Sequence, residues 1–211
     1  DRISMLRIGG RYEFIDTMVG AAANTFDLEL SKGVNIFGAS EEDDDNMTRA
    51  DANPQATKLE AEIQRLQRVT GSVNLLLSAR GQIASNALLS SEEFGIGGIN
   101  SGRGYDPSEI VGDHGVAGKV ELQWKEPLKF EQNFVESYQV YGFYDVGRVW
   151  NEDPTTSSQK RDSLASVGAG LRFELPYEVD GGVAVAFPLT REVATKEDRD
   201  PKYYFNLQVE I

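Results

Sequence analysis

The 211-residue sequence contains no cysteine, which excludes disulfides, thiolate metal sites and thiol catalysis without fixing a compartment. It has one histidine, His114, so multi-histidine metal sites are impossible and any Ser–His–carboxylate triad would have to use that residue. His114 follows Asp113 in a glycine-flanked segment and reads as a solvent-exposed turn residue. Long apolar runs are also missing. The best, Val73 to Ala79, already contains Asn74 and Ser78, far short of the roughly 20 apolar residues of a membrane-spanning helix. Residues Asp1 to Arg7 lack the apolar core of a signal peptide, so the chain is expected to be mature or a fragment. Basic residues are scarce, 21 Lys and Arg against 34 Asp and Glu for a net charge of −13, which argues against a nucleic-acid partner. The densest acidic run, Glu41, Glu42, Asp43, Asp44 and Asp45, reads as a solvated loop rather than a cation site. The pairs Gly9–Gly10 and Gly181–Gly182 lack the lysine and strand-to-helix context of a phosphate loop and read as sheet glycines. No catalytic residue, metal, nucleotide or cofactor is expected, and the chain does not read as an enzyme.

What the sequence does have is alternation. Its 40% hydrophobic and 26% charged residues are ordinary for a soluble protein. They equally suit a membrane barrel, whose strands need only every second residue to be apolar. Val116, Gly118, Val120, Leu122 and Trp124 alternate with Lys119, Glu121, Gln123 and Lys125. The same period-two pattern recurs in Ser72 to Ile83, Tyr138 to Trp150, Val167 to Leu175, Val183 to Leu189 and Tyr203 to Ile211, and less regularly in Ile3 to Phe14 and Ala21 to Val34. Leu59, Ile63, Leu66 and Val69 follow a helical spacing, but the Thr70–Gly71 link to the next strand favours a hairpin and hence a strand. Connections alternate between short (Asp16 to Gly20, Thr70 to Gly71, Pro176 to Gly181) and long (Phe37 to Gln55, Ser90 to Gly115, Asn151 to Ser163, Thr190 to Lys202), with Pro127 to Glu136 intermediate. Long loops at one end and short turns at the other match an outer-membrane barrel. The expected organisation is all-β and antiparallel, with about nine strands of about ten residues: four in 1–89, a long loop in 90–115 and five in 116–211. A soluble β-sandwich acting as a binding module would alternate too. Trp124, Trp150, Tyr177, Tyr203 and Tyr204 lie near predicted strand ends, where a barrel places its aromatic girdles.

The longest loop carries Phe94, Gly97 and Gly98, then Gly102, Arg103, Gly104 and Tyr105, then Gly112 and Asp113. A later strand carries Phe143, Asp145 and Gly147, which period two places on one face, opposite Val140, Tyr144 and Val146. A wall carboxylate within reach of a loop guanidinium can form a bidentate, charge-assisted pair. Glycines beside Arg103 allow a tight tip, and Gly147 leaves a gap on which Tyr105 is expected to lie flat. This ordered set, F-GG, RGY, GD and then F-x-D-x-G, resembles the outer-membrane polypeptide-transporting superfamily. With Gly168, Gly170, Leu171 and Arg172, and Ala186, Phe187, Pro188 and Leu189, it is most similar to haemolysin-activator-type two-partner-secretion transporters. The resemblance implies an antiparallel transmembrane β-barrel, of which this chain is the C-terminal portion, with the RGY loop folded into the lumen. The five strands after the loop would be the last five of that family's sixteen. It implies a bacterial outer membrane, or that of a bacterium-derived organelle. The implied partners are a secreted or membrane-protein polypeptide client and outer-membrane lipid; the alternative within the superfamily is an insertase or assembly factor. Two positions depart from the pattern: Gly102, where a hydrophobic residue often precedes Arg, and Ile211, where such barrels commonly end in Phe.

Overall fold

The computed structural model describes residues 2–42, 44, 47, 49, 51–127, 135–152, 160–176 and 179–209. Asp43 and Asp45 of the acidic run, the middle of the 127–136 link and of the 151–163 loop, Tyr177, Glu210 and Ile211 lie outside these residues. The elements are β1 (Met5–Asp16), β2 (Ala22–Gly33), β3 (Thr57–Arg68), β4 (Val73–Ala84), β5 (Phe94–Ile96), β6 (Ile110–Gly112), β7 (His114–Pro127), β8 (Ser137–Trp150), β9 (Arg161–Leu175), β10 (Val179–Pro188) and β11 (Lys202–Val209). Nine of them form one sheet in the order β1-β2-β3-β4-β7-β8-β9-β10-β11, antiparallel throughout. β5 and β6 pair only with each other, inside the connection between β4 and β7.

The ambiguous segment is the strand β3, and local chemistry shows why. Val69 and Thr70 donate their amides to the Val73 carbonyl (2.9 and 3.0 Å), and the Val73 amide returns a bond to Thr70 Oγ1 at 3.2 Å. That closed turn delivers β3 directly into β4, and a helix would leave β4 without its partner along eleven residue pairs.

Alternation sorts the side chains into two rows. Outward lie Leu6, Ile8, Tyr12, Phe26, Leu28, Leu30, Ile63, Val120, Leu122, Val140, Tyr144, Val183 and Phe205, all exposed in the isolated chain. Inward lie Lys58, Gln82, Glu121, Gln123, Asp145 and Ser166, all buried. A water-soluble sandwich would bury the apolar row against a second sheet. Among the described residues the other sheet is the two-stranded β5–β6, and it packs on the polar side. The inversion is that of an antiparallel transmembrane β-barrel wall, apolar toward lipid and polar toward the lumen. Among the described residues no helix is long and apolar enough to cross a membrane; crossing is by strands, most of them longer than the roughly 9–11 residues required.

The largest apolar cluster is correspondingly displaced into the lumen. Phe94, Ile96, Tyr105 and Ile110 of the inserted loop pack against Ala117 of β7, Val149 of β8, Leu164 of β9 and Val193 of the β10–β11 connection. Of the acidic run, Glu41, Glu42 and Asp44 are exposed as expected. Trp124 is outward, in edge contact with Tyr138 at 6.2 Å between ring centroids. Tyr203 is 77% exposed and outward, but Tyr204 points inward and is not a girdle residue, because adjacent strand positions face opposite sides.

Arginine placed at outward Val120 is expected to cost about 2–4 kcal/mol if the site lies near mid-membrane, and arginine at inward Gln64 much less. Denaturant titration of the refolded barrel in lipid vesicles measures both.

Candidate functional site

The loop tip is fixed to the wall by one guanidinium. Arg103 donates Nε to Asp145 Oδ2 (2.9 Å), Nη2 to Asp145 Oδ1 (2.7 Å) and Nη1 to Glu121 Oε2 (2.7 Å), and its own amide adds a bond to Asp145 Oδ2 at 3.0 Å. Its guanidinium carbon lies 3.4 Å from the ring centroid of Phe143. Asp145 is 0% exposed and Glu121 1%. Burial alone would lower the proton affinity of Arg103, but Asp145 and Glu121 outweigh it and hold the guanidinium above its ordinary value. Glu121 in turn accepts from Arg172 Nη1 (2.8 Å) and Gln123 Nε2 (2.9 Å), both on the oxygen that Arg103 leaves free.

Small residues create the room. Gly102 adopts φ +83°, and a Cβ there would stand 2.7 Å from Leu164 Cδ1. Gly104 matters for approach rather than conformation: a Cβ would stand 2.7 Å from the Pro188 amide nitrogen and 2.9 Å from Ser166 Cβ. On the wall, Gly168 and Gly170 sit opposite Phe143 and Tyr141 in the register, and side chains there would collide with those rings. The glycines of β9 thus let Phe143 lie down as the floor beneath Arg103.

Tyr105 does not lie on Gly147. Ile96 of β5 fills that gap, its Cδ1 2.6 Å from where a Cβ would be. The two-residue step from Arg103 carries Tyr105 across the strands instead, where it is fully buried. Its hydroxyl donates to the Ala165 carbonyl (3.1 Å) and accepts from the Thr190 and Arg191 amides (3.1 and 3.3 Å). Phe94 lies beneath Arg80, 4.5 Å from the ring centroid, and opposite Gly112 in the β5–β6 pair. Gly97 and Gly98, at φ +131° and +80°, turn the chain out of β5.

Asp113 forms a second junction at the long-loop end. Its fully buried carboxylate accepts from Arg49 Nη1 and Nη2 (2.6 and 2.8 Å), the Leu88 amide (2.6 Å) and the Glu152 amide (2.9 Å). Three connections therefore meet on one side chain. Burial pushes this carboxyl up, but Arg49 and the two amides prevail and hold it below the usual carboxylate value. Neighbouring Glu93 is displaced the other way, raised by burial and by Asp113 against the pull of Arg49. His114 is not an exposed turn residue. It opens β7, its Nδ1 accepts the Ala84 amide at 3.1 Å, and its Nε2 lies 2.6 Å from Glu152 Oε1. A third tether joins Asp106 to Lys202 and Thr195, with Lys202 first and Thr195 second in lowering the Asp106 carboxyl.

Glu121, Tyr204 and Arg49 escaped the sequence reading as members of the site. Glu121 could have been found from the sheet register, which sets it directly across from Phe143. Tyr204, whose hydroxyl donates to the Arg103 carbonyl at 2.7 Å, and Arg49 have no local signal. Among the described residues no group of histidines and carboxylates is arranged to hold a metal.

Comparison with known proteins places this geometry in context. The family profile described as haemolysin secretion/activation protein ShlB/FhaC/HecB matches residues 6–173. The outer membrane transporter CdiB of Dickeya dadantii (strain 3937) is 25% identical over 169 residues, covering 78% of this chain and 29% of that protein. The solved structure of CdiB from Escherichia coli superposes with a TM-score of 0.75 at 23% identity over 98% of this chain, a likeness of fold, and the match covers 36% of its length. The chain thus spans about a third of the length of the relatives it matches.

Removing one partner of a buried charge pair typically costs about 3–5 kcal/mol. Arg103→Ala and Asp145→Ala should each destabilise the barrel by that amount, and the double variant by less than their sum, with an interaction energy of up to about 3 kcal/mol. Unfolding curves of the four proteins in one detergent test this. Because the native Asp113 value is depressed, its contribution is fully present above the ordinary carboxylate range, near pH 4, and is lost as pH falls through the lower native value. Protection of the Leu88 and Glu152 amides, corrected for intrinsic exchange, should therefore hold from neutrality to about pH 4 and decline below.

Proposed function

Because the chain belongs to the haemolysin secretion/activation (ShlB/FhaC/HecB) family of bacterial outer-membrane transporters, we propose that it forms part of a barrel that passes an unfolded polypeptide across the outer membrane in two-partner secretion. No nucleotide or cofactor takes part. The wall contributed by this chain supplies the seat for the inserted loop, and the Arg103–Asp145–Glu121 cluster is the observation that carries the reading. A loop attached to the strands only at its ends would wander through the lumen and obstruct it variably. Held at its tip by a bidentate ion pair, it has one position, and the space beside it is defined.

The inward surface near the short-turn end suits a client without fixed structure. Lys125, Ser137, Gln139, Arg172, Glu174, Asp180 and Asn206 line a recess of about 270 Å³ there. Side chains of both signs, with amides and a hydroxyl, exchange hydrogen bonds with a passing main chain without selecting a sequence. Lys125 and Glu174 already satisfy each other at 2.5 Å, and Ser137 Oγ donates to the same carboxylate at 2.5 Å. The surface therefore carries little uncompensated charge to trap a client.

The test is secretion of the cognate polypeptide by cells whose transporter carries Arg103→Ala, Asp145→Ala or Arg103→Lys. Loss of about 1.4 kcal/mol shifts a two-state balance tenfold, so the alanine variants should reduce secretion by at least about that factor at equal outer-membrane abundance. Lysine, which keeps the charge but not the fork, should fall between. Undiminished secretion by Asp145→Ala at equal abundance would overturn the role assigned to the lock.

A further inference from the structure

The lipid-facing rows of β8 and β9 end in a feature unrelated to the lumen site. Ascending β8, the outward residues Val140, Tyr144 and Val146 are apolar and exposed, and the next outward positions are Arg148 and Trp150. On β9 the outward row runs upward through Leu171, Ala169, Val167 and Ala165 to Ser163 and Arg161. Both rows change from apolar to cationic at the long-loop end, which is the extracellular rim. The register sets Arg148 opposite Ser163 and Trp150 opposite Arg161. Arg148 and Arg161 are therefore diagonal neighbours, about 7–8 Å apart at their α-carbons. The Arg148 guanidinium carbon lies 5.9 Å from the Trp150 ring centroid.

Arg7, Arg11, Arg49, Lys58, Arg65, Arg103, Lys125, Arg172, Arg191 and Lys202 each contact a carboxylate. Among the described residues Arg148 and Arg161 make no ion pair, as is also true of Arg2, Lys32, Arg68, Arg80, Lys119, Lys160, Lys196 and Arg199; what sets these two apart is that they stand side by side on the outward rows of adjacent strands. Two acids close by in sequence are committed elsewhere: Asp162 to Arg191, and Glu152 to His114. Neighbouring like charges on a sheet repel unless an anion lies between them. At the opposite rim Trp124 Nε1 donates to Glu126 at 3.2 Å, and the outward Arg65 is paired with Asp16.

We propose that Arg148, Trp150 and Arg161 form a clasp for the phosphate of an anionic lipid headgroup in the outer leaflet. Two guanidiniums offer forked donors to one phosphate, the geometry for which arginine is suited above lysine. Trp150 packs on the lipid at headgroup depth, where indole rings concentrate, and the Ser163 hydroxyl stands across from Arg148. A lipid is favoured over a soluble anion because the residues continue an outward apolar row, so the acyl chains of the same molecule meet Val146, Val167 and Phe187. The clasp is independent of what the barrel transports.

The experiment uses the whole outer-membrane protein containing this chain, purified in detergent and titrated with bis-phosphorylated lipid A, with its dephosphorylated form and with inorganic pyrophosphate, bound lipid being counted by native mass spectrometry. The phosphorylated lipid should bind at least about tenfold more tightly than the dephosphorylated one. Arg148→Gln/Arg161→Gln should abolish that difference, and Arg148→Lys/Arg161→Lys should retain only part of it. Equal binding of the two lipids by the unaltered protein, or a preference that survives the glutamine pair, would overturn the proposal. Pyrophosphate binding as tightly as the lipid would overturn the lipid as occupant. Should the glutamine pair fail to fold, the lipid comparison on the unaltered protein and on Arg161→Gln alone decides.

Discussion

A guanidinium removed from water has to be given carboxylates, and the arrangement of this molecule follows from how Arg103 receives them. Its charge sits at the tip of a loop inside a wall of nine strands, where an unpaired ion would cost several kcal/mol. Asp145 supplies both oxygens and Glu121 a third, while Phe143 supplies a ring face. Everything nearby is arranged to permit that approach: glycine at 102 and 104 on the loop, glycine at 168 and 170 behind the rings, and Ile96 seated on Gly147. The pair is then kept from slipping sideways by Tyr105, anchored to β9 and to the start of the β10–β11 connection, and by Tyr204 on the Arg103 carbonyl.

The second buried carboxylate, Asp113, differs in what it joins. Arg103 and Asp145 tie loop to wall, whereas Asp113 ties the long connections at one end to each other through Arg49, Leu88 and Glu152. Both carboxylates receive a guanidinium fork, and Asp145 adds one main-chain amide where Asp113 adds two. Between them the loop is held at its tip and at its base, and the β5–β6 pair between those points is held by apolar contacts and by Arg80, which donates to the Gly95 carbonyl.

Lipid imposes the complementary constraint on the outside. With no water to satisfy a backbone group, strands pair with their neighbours along nearly their full length, and outward positions carry aliphatic and aromatic residues. Among the described residues outward charge includes Glu126 beside Trp124, Arg148 beside Trp150 and the Asp16–Arg65 pair, all toward the strand ends. The membership of the chain in a transporter family fits this division: the lumen side carries the specific contacts, and the outer side is set by the solvent it meets.

How much of this was legible in the sequence depends on the range of the interaction concerned. Period two is a local rule, so the shared face of Phe143, Asp145 and Gly147 and the opposite face of Val140, Tyr144 and Val146 followed from the residues alone, as did β3 once its turn at Thr70 was considered. Motif order in turn brought Arg103 and Asp145 together before any coordinates did. Tertiary structure decided what local rules cannot reach. Glu121 joined Arg103 because of the β7–β8 register, Tyr204 reached it from about a hundred residues away in sequence, and Arg49 met Asp113 across two loops whose conformations no periodicity specifies. Tyr105 and His114 were misplaced for the same reason. A side chain's face is fixed by its own strand, but its partners are fixed by register and by loop paths, which depend on the whole wall at once.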